Sequence, residues 1–430
     1  MREDFDLVVV GAGPGGMAAA ATATEAGMSV CLIDDNPEVG GQIWRSSVQK
    51  GVNAAASKWL LRMQSGRVTM RTGWRVVAAS STRGQSPAAL RVEREGQYSD
   101  IGYSALILAT GARELFLPFP GWTLPGVYGA GGLQAFVKAG LDVSGKRVVV
   151  AGTGPLLLAV AAGLRAAGAQ IVAVVEQAPF RRLAQFSVRL LFGHAGKLVE
   201  GLGYGLRSLG TPYRTGSWVT RVSGKECLKT VVVSDGSRTK EMEADMLAIG
   251  FHLVPNTELA QLLHCELEGG YVRADALQQT SVERIYCVGE ATGIGGVEKA
   301  QIEGRIAALA VSGRIESAKS LSSERDRQIR FARGLASAFQ LREELRTLAK
   351  DQTVVCRCED VNHGDLAGCR SWREAKLHLR CGMGPCQGRI CGAATQFLYG
   401  WDAPQPRPPL FPVDVATLGG LRVDREEGPP

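Results

Sequence analysis

The 430-residue sequence is poor in aromatic residues, 6% of the total, and its +7 net charge is not gathered into any lysine- and arginine-rich block. A nucleic-acid reader needs a basic face and stacking rings, so that class is excluded. No uninterrupted apolar run is long enough to span a bilayer. The most apolar stretch, Val148 to Val175, is broken by Gly152, Gly154, Pro155, Gly163, Arg165 and Gly168. It reads as strand–turn–helix–strand, and no transmembrane segment is expected. The opening MREDFDL enters a strand without the pattern of an export signal, which points to the cytoplasm and to reduced thiols. Upstream of residue 350 the cysteines Cys31, Cys227, Cys265 and Cys287 stand alone. That excludes a Cys-x-x-Cys redox pair there, and Cys31 and Cys287, set in apolar strands, read as small buried hydrophobes. The histidines His194, His252, His264, His363 and His378 show no metal-ligand spacing, and no hydrolase motif is present. What remains is an ordinary globular composition, 45% hydrophobic and 21% charged, in a chain long enough for two to four domains.

The most informative stretch is Leu7 to Gly16, LVVVGAGPGG. Val8, Val9 and Val10 suit a strand buried on both faces. They run into Gly11-Ala12-Gly13-Pro14-Gly15-Gly16, a G-x-G-x-x-G loop, and the alanine-rich segment Met17 to Ala26 reads as helix. In such a loop Gly11 permits the tight turn, Gly13 lets backbone approach a pyrophosphate, and Gly16 lets helix pack on strand. The phosphates sit at the positive end of the helix, on N–H groups it leaves unpaired. The next strand, Ser29–Ile33, ends in Asp34, placed to accept hydrogen bonds from a ribose.

A second unit of this kind begins about 140 residues later: strand Arg147–Ala151, loop Gly152-Thr153-Gly154-Pro155-Leu156-Leu157, helix Leu158–Ala167, and strand Gln170–Val175 ending in Glu176. Leu157 replaces the third glycine and is expected to hold the helix slightly off the strand. An acid at Glu176 would repel a 2′-phosphate, so NAD or ATP is favoured over NADP, with an empty site as the alternative. Between the units lie the loop Gly40-Gly41-Gln42, a helix over Ala54–Met63, a hairpin around Ser80 to Pro87, and an apolar strand ending in Ala109-Thr110-Gly111. After the second unit, Ile285 to Val288 is a strand running into Gly289-Glu290. Ser320 to Lys350 carries apolar residues at Ile329, Ala332, Ala336 and Phe339 within a charged segment. It reads as one or two amphipathic helices, either a solvated cover or a partner surface. From Ala403 the proline-rich tail is expected to be extended.

Six of the ten cysteines fall between residues 356 and 391, as Cys356-Arg-Cys358, Cys369, Cys381-Gly-Met-Gly-Pro-Cys386 and Cys391. Thiolates at such short spacing suit a soft metal or an iron–sulfur cluster, with a four-cysteine zinc as the rival. Gly382 and Gly384 would let backbone N–H groups turn toward sulfur.

The first glycine loop with Asp34, Gly40-Gly41-Gln42, Ala109-Thr110-Gly111 and Gly289-Glu290 together resemble the disulfide-reductase-like FAD/NAD(P) family. The resemblance implies an α/β fold of two Rossmann-like dinucleotide-binding domains, one inserted in the other. It implies FAD held by Gly11, Ala12, Gly13, Pro14, Gly16, Asp34, Gly41, Gln42, Ala109, Thr110, Gly111, Gly289 and Glu290, with Glu290 meeting its ribityl and phosphate portion. Gly152, Gly154 and Glu176 would serve the second nucleotide. The Cys-x-Cys and Cys-x4-Cys pairs resemble the [2Fe-2S] domain of bacterioferritin-associated ferredoxin, which implies Cys356, Cys358, Cys381 and Cys386 as ligands and leaves Cys369 and Cys391 spare. Only 22 residues separate Cys358 from Cys381, fewer than that domain leads one to expect.

Across nearly the whole chain, PFPGWTLPGV, AGTGPLLL, VCRCED and RCGMGPCQGRIC resemble the alpha subunits of heteromeric amino- and imino-acid dehydrogenases. That group includes D-hydroxyproline dehydrogenase, opine oxidases, dye-linked proline dehydrogenase and hydrogen cyanide synthase. It implies a D-amino-acid-oxidase-like beta subunit that oxidises the substrate, a small ferredoxin-like gamma subunit, and a quinone or dye acceptor. The expected domains are a split FAD domain (1–122 and 250–318), a second nucleotide domain (123–249), a helical linker (319–350), a small C-terminal cysteine-rich [2Fe-2S] domain (351–400) and a tail (401–430). Two alternatives are a stand-alone NADH-dependent reductase and a scaffolding subunit with degenerate sites.

Overall fold

The computed structural model describes residues 2–44, 53–64, 66, 68–79, 88–191, 210–402 and 405–419. The expected hairpin at Ser80 to Pro87, most of the last tail residues and His194 lie outside them. The chain divides into two compact units, one built from residues 1–113, 255–332 and 405–430, the other from 114–254 and 333–404.

In the first unit, β1 (Arg2–Val10), β2 (Val30–Asp34), β3 (Val68–Thr72), β4 (Arg75–Ala79), β5 (Ala89–Arg94) and β6 (Gln97–Leu108) form a sheet in the order β3-β2-β1-β6-β5-β4. The late strand Ile285–Cys287 joins it parallel to the end of β6. Alternation along β1 explains its burial on both faces. Leu7 and Val9 pack into one core with the alanines of α1 (Pro14–Glu25), while Val8 and Val10 pack into another with Leu90 and Leu106. The small residues of α1 allow a second helix, Val297–Val311, to cross it closely. A Cβ on Gly304 would stand 2.2 Å from the Gly15 carbonyl oxygen. The tail is not free-standing: Leu410 is buried in this unit and donates its N–H to the carbonyl of Val77.

In the second unit, β7 (Val127–Gly129), β8 (Arg147–Gly152), β9 (Gln170–Glu176), β10 (Tyr213–Thr215) and β11 (Met246–Gly250) make a parallel sheet ordered β10-β9-β8-β11-β7. The helices α2 (Ala130–Lys138) and α3 (Leu156–Ala166) follow β7 and β8. Leu157 is buried among Val148, Val150 and Leu164, so its side chain fills the space between helix and sheet. A three-stranded antiparallel ribbon, Trp218–Ser223 with Thr230–Ser234 and Thr239–Glu243, belongs to this unit as well. The charged segment forms the helix Ser322–Ala338 and a short 3₁₀ turn, Glu343–Thr347. Ala332 and Phe339 are buried, but Ala336 faces solvent. Beyond them the cysteine-rich module has its own small core around Trp372, flanked by the helices Trp372–Leu379 and Cys391–Tyr399.

Candidate functional site

The first glycine loop leaves β1 with Gly11 at φ +106, where an added Cβ would meet the Ala109 carbonyl oxygen at 2.2 Å. Gly16 is equally constrained, because its Cβ would reach the Gly11 oxygen at 1.8 Å. Both are glycine for reasons of the fold. Gly13 differs: its φ is −73°, and its Cβ would meet nothing nearer than 3.9 Å. Nothing in the protein itself requires glycine there, and the open face leaves room for a ligand to approach the backbone closely. The N-terminus of α1 has no side-chain cap and no acid in its first turn. It keeps unpaired N–H groups and the positive end of its dipole for an anion. The Asp34 carboxylate accepts from Ala12 N at 2.5 Å and from Asn36 N and Nδ2 at 2.8 Å, and so stands beside the loop. Gly41 lies across from Gly13, with its Cβ position 2.9 Å from Gly13 Cα, and Gln42 is exposed beside it. These residues fit the pyrophosphate and ribose of a dinucleotide.

The turn Ala109-Thr110-Gly111 is stitched by Asn256, a residue that the sequence does not single out. Thr110 Oγ1 donates to the Asn256 carbonyl at 2.6 Å, and Asn256 Nδ2 donates to the Thr110 carbonyl at 2.9 Å. Gly289 and Glu290 open a 3₁₀ turn, Gly289–Thr292. The Glu290 carboxylate is turned onto Gly295 N (3.0 Å) and Gly296 N (2.8 Å), capping the helix Val297–Val311, and burial raises its pKa. Beneath this turn lies a pair that no sequence motif marks. Lys299 and Glu303 are 2.8 Å apart with side chains 4% and 2% exposed. Lys299 also donates to the Gly289 carbonyl and Thr292 Oγ1, both at 2.9 Å, while Glu303 accepts from Gly289 N at 2.8 Å. The available signal is two opposite charges at i and i+4 on the apolar side of an alanine-rich helix.

In the second unit Gly152 is at φ +128, its Cβ position 1.8 Å from the Gly250 carbonyl oxygen. Glu176 is fully buried and accepts from Gly154 N and Ala178 N at 2.8 Å and from Thr153 Oγ1 at 2.9 Å. Burial outweighs these bonds and raises its pKa to about 7. A further carboxylate, Glu114, accepts from Gly131 N at 2.7 Å and Gly132 N at 3.0 Å, at the N-terminus of α2.

The cysteine module brings the Sγ atoms of Cys356, Cys381 and Cys391 within 4.8 Å of one another, all buried. Cys386 is in thiol contact with Cys391 and with Cys358, which lies exposed at the edge. Donation from Cys381 and Cys391 drives the Cys356 pKa far down, and Gly382 N points at the same sulfur at 3.4 Å. Cys391 therefore stands with the four expected ligands, whereas Cys369 is not one of the buried trio. The repeated spacing Cys381-x4-Cys386-x4-Cys391 is the signal for it in the sequence. A buried set of soft thiols of this kind is able to hold a metal ion or a cluster. Gly382 is required by packing as well, its Cβ position being 2.4 Å from the Trp372 ring. Cys31 and Cys287 are buried strand residues with pKa values pushed up, Cys31 to about 12, and neither forms a redox pair.

Residues 5–312 match the pyridine nucleotide-disulphide oxidoreductase family. The chain is 33% identical to the hydrogen cyanide synthase subunit HcnB of Pseudomonas aeruginosa, over 96% of this chain and 98% of that protein. It is 34% identical to an opine oxidase subunit from Rhizobium meliloti, over 97% and 99%. Among solved structures, L-proline dehydrogenase from P. horikoshii shares the fold at a TM-score of 0.71 and 18% identity, covering 97% of this chain and 80% of that one.

Proposed function

The chain belongs to the pyridine nucleotide-disulphide oxidoreductase family, and on that premise we propose that it is the FAD- and [2Fe-2S]-carrying alpha subunit of a heteromeric dehydrogenase for an amino or imino acid. The carrying observation is a combination within one chain. An uncapped glycine-loop helix with Asp34 beside it lies in the first unit, a buried thiol trio lies in the second, and no paired cysteines lie between them in sequence. Gly13 and the N-terminus of α1 would hold the FAD pyrophosphate, Asp34 the adenosine ribose, and the Glu290 turn the far side of the cofactor. The split-domain scheme expected from the sequence accompanies this reading. Cys356, Cys358, Cys381 and Cys386 would hold the cluster, with Cys391 competing for a ligand position; the same thiols would also suit zinc. When bound, FAD would supply exchange between two-electron and one-electron chemistry, and a cluster on these cysteines would supply one-electron transfer. This chain's own residues would position those groups, and its packing buries Cys356, Cys381 and Cys391 while Cys358 stays exposed.

The relatives named above are subunits, and this chain is proposed to work as one. Its partners would be a beta subunit of the D-amino-acid-oxidase type, which acts on a CH–NH donor, and a ferredoxin-like gamma subunit, with a quinone or dye as acceptor. D-hydroxyproline is the proposed substrate, opine oxidation and cyanide synthesis being the related alternatives. Among the described residues no helix is long and apolar enough to cross a membrane. The proposed location is the cytoplasm or the inner face of the membrane. The test is co-purification with a candidate beta subunit of the D-amino-acid-oxidase type, followed by dye reduction with D-hydroxyproline, octopine and glycine in turn. Flavin absorbance, an iron–sulfur EPR signal on reduction and turnover only with the partner present are expected. Steady NADH oxidation by this chain alone would establish the stand-alone reductase instead, and a colourless preparation the scaffold.

A further inference from the structure

We infer that residues Phe339–Arg342 are a strap closing the second dinucleotide fold, so that an adenine nucleotide enters there only when the strap leaves. This rests on the fold of the second unit and not on the electron-relay reading.

In a fold of this kind the nucleotide lies outside the carboxyl ends of β8 and β9, against the glycine loop, with its ribose at the acid ending β9. Here the chain's own backbone occupies that position. The Phe339 carbonyl accepts from His252 Nε2 at 2.8 Å, from Thr153 Oγ1 at 3.3 Å and from Gln177 Nε2 at 3.4 Å. Gln177 Nε2 also donates to the Gln340 carbonyl at 3.3 Å, and Gln177 Oε1 accepts from Arg342 N at 3.2 Å. The Arg342 guanidinium donates to the carbonyls of Gln177 and Gly216 and lies 3.9 Å from the centre of the Trp218 ring. The Phe339 ring meets Phe186 edge-on at 6.1 Å and packs beside Ala178.

The consequence is visible in the loop itself. Thr153, Glu176 and Gln177 are 5%, 0% and 1% exposed, so the ribose acid has no open face. Asp34, its counterpart in the first unit, has the same kind of carboxylate partners, Ala12 of its loop and the nearby Asn36, and is 8% exposed, so what sets the second unit apart is the strap bonded to Thr153 and Gln177. His252 supports the same conclusion. Its φ of +111° is strained for a residue with a side chain, and the strain is held where its ring reaches the strap. The phosphate side is different. The N-terminus of α3 has no side-chain cap, and a Cβ on Gly154 would meet nothing within 4 Å. A nucleotide can therefore touch the fold by its phosphates before the ribose site is vacated. The strap continues into Glu343–Thr347, where Arg346 stacks on Phe397 of the cysteine module. Displacing the strap would loosen the tether of that module.

The experiment uses the full chain saturated with FAD, so that the first site is filled, and ADP as the probe. ADP affinity is measured by calorimetry, and amide exchange over residues 336–345 by mass spectrometry. Phe339→Ala/Arg342→Ala keeps every side chain of the loop and weakens the strap. When the binding-competent state is a minor one, apparent affinity falls by its fraction. Wild-type protein is expected to bind ADP at least about tenfold more weakly than this variant, with exchange over 339–342 accelerating as ADP is added. ADP binding to wild-type protein with those amides still protected would overturn the inference. So would a variant whose strap exchanges freely yet binds ADP no better than wild type. Should the double variant not fold, Arg342→Gln alone is put to the same two measurements.

Discussion

Removing Glu303 tests how the Gly289-Glu290 turn is held. Its carboxylate is 2% exposed, meets Lys299 at 2.8 Å and accepts from Gly289 N and Thr292 Oγ1. In Glu303→Leu the ammonium of Lys299 keeps only the Gly289 carbonyl and the Thr292 hydroxyl, and Gly289 N loses its acceptor. Breaking one side of a buried ion pair costs about 3–5 kcal/mol, whereas an exposed pair is worth about 1 kcal/mol or less. Replacing both partners, as in Lys299→Met/Glu303→Leu, leaves no orphaned charge and should recover the part of that loss due to it, while Gly289 N without its acceptor and the Gly289 carbonyl without the Lys299 donor keep the rest. The assay is denaturant unfolding of the FAD-saturated chain, followed through flavin release, for wild type, both single variants and the double variant. The single variants should release flavin at clearly lower denaturant, and the double variant between them and wild type. A cost under about 1 kcal/mol in the single variants would refute the argument, because the pair would then be behaving like a surface one.

Gly13→Ala should leave the unfolding midpoint unchanged but weaken FAD at least about tenfold (1.4 kcal/mol), because the new methyl group clears the protein and faces only the ligand. Gly16→Ala, whose Cβ would strike the Gly11 oxygen, should destabilise the fold even without flavin, and melting with and without FAD separates the two cases. Cys391→Ala should lower bound iron or zinc measured by elemental analysis, while Cys369→Ala leaves it near wild type. Glu176 has a folded pKa raised from 4.5 to about 7. Its contribution to stability is thus fully present below pH 4.5 and is lost as pH rises through 7. A shift of that size is worth up to about 3 kcal/mol. The stability of Glu176→Gln, followed by denaturant midpoint, should fall less steeply than wild type between pH 4.5 and 7.

The strand–loop–helix units are legible because their residues obey local rules. β1 needs branched residues on both faces, and Gly11, Gly16 and Gly152 are required by contacts a few ångströms away. The bounds of α1 and α3 nevertheless move toward the glycines, because Pro14 and Pro155 suit a helix start. Lys299 and Glu303 are not legible, because charged residues in a helix ordinarily face water, and only packing against the Gly289 turn makes them internal. Asn256 carries no local pattern, since its partners lie 146 residues away. The strap is equally hidden: Phe339 reads as the end of an amphipathic face, but its backbone carbonyl makes the contact. Backbone acceptors have no signature in sequence.

The two glycine-loop units differ most in what becomes of their helix N-termini. An N-terminus able to receive phosphate must have neither a carboxylate on its N–H groups nor a covered ribose acid. The helix Val297–Val311 fails the first condition through Glu290, and α2 fails it through Glu114. α3 meets the first but fails the second, because Glu176 is sealed. α1 is uncapped, has no acid in its first turn, and has Asp34 at the loop edge. Asp34 and Glu176 accept alike from a loop N–H and from the N–H two residues on, so the two related fingerprints differ in the segment at Phe339 and Gln340 that bonds to Thr153 and Gln177 beside Glu176. The proposed FAD site at α1 is the one consistent with both conditions, and any nucleotide of the second unit must first compete with the proposed strap.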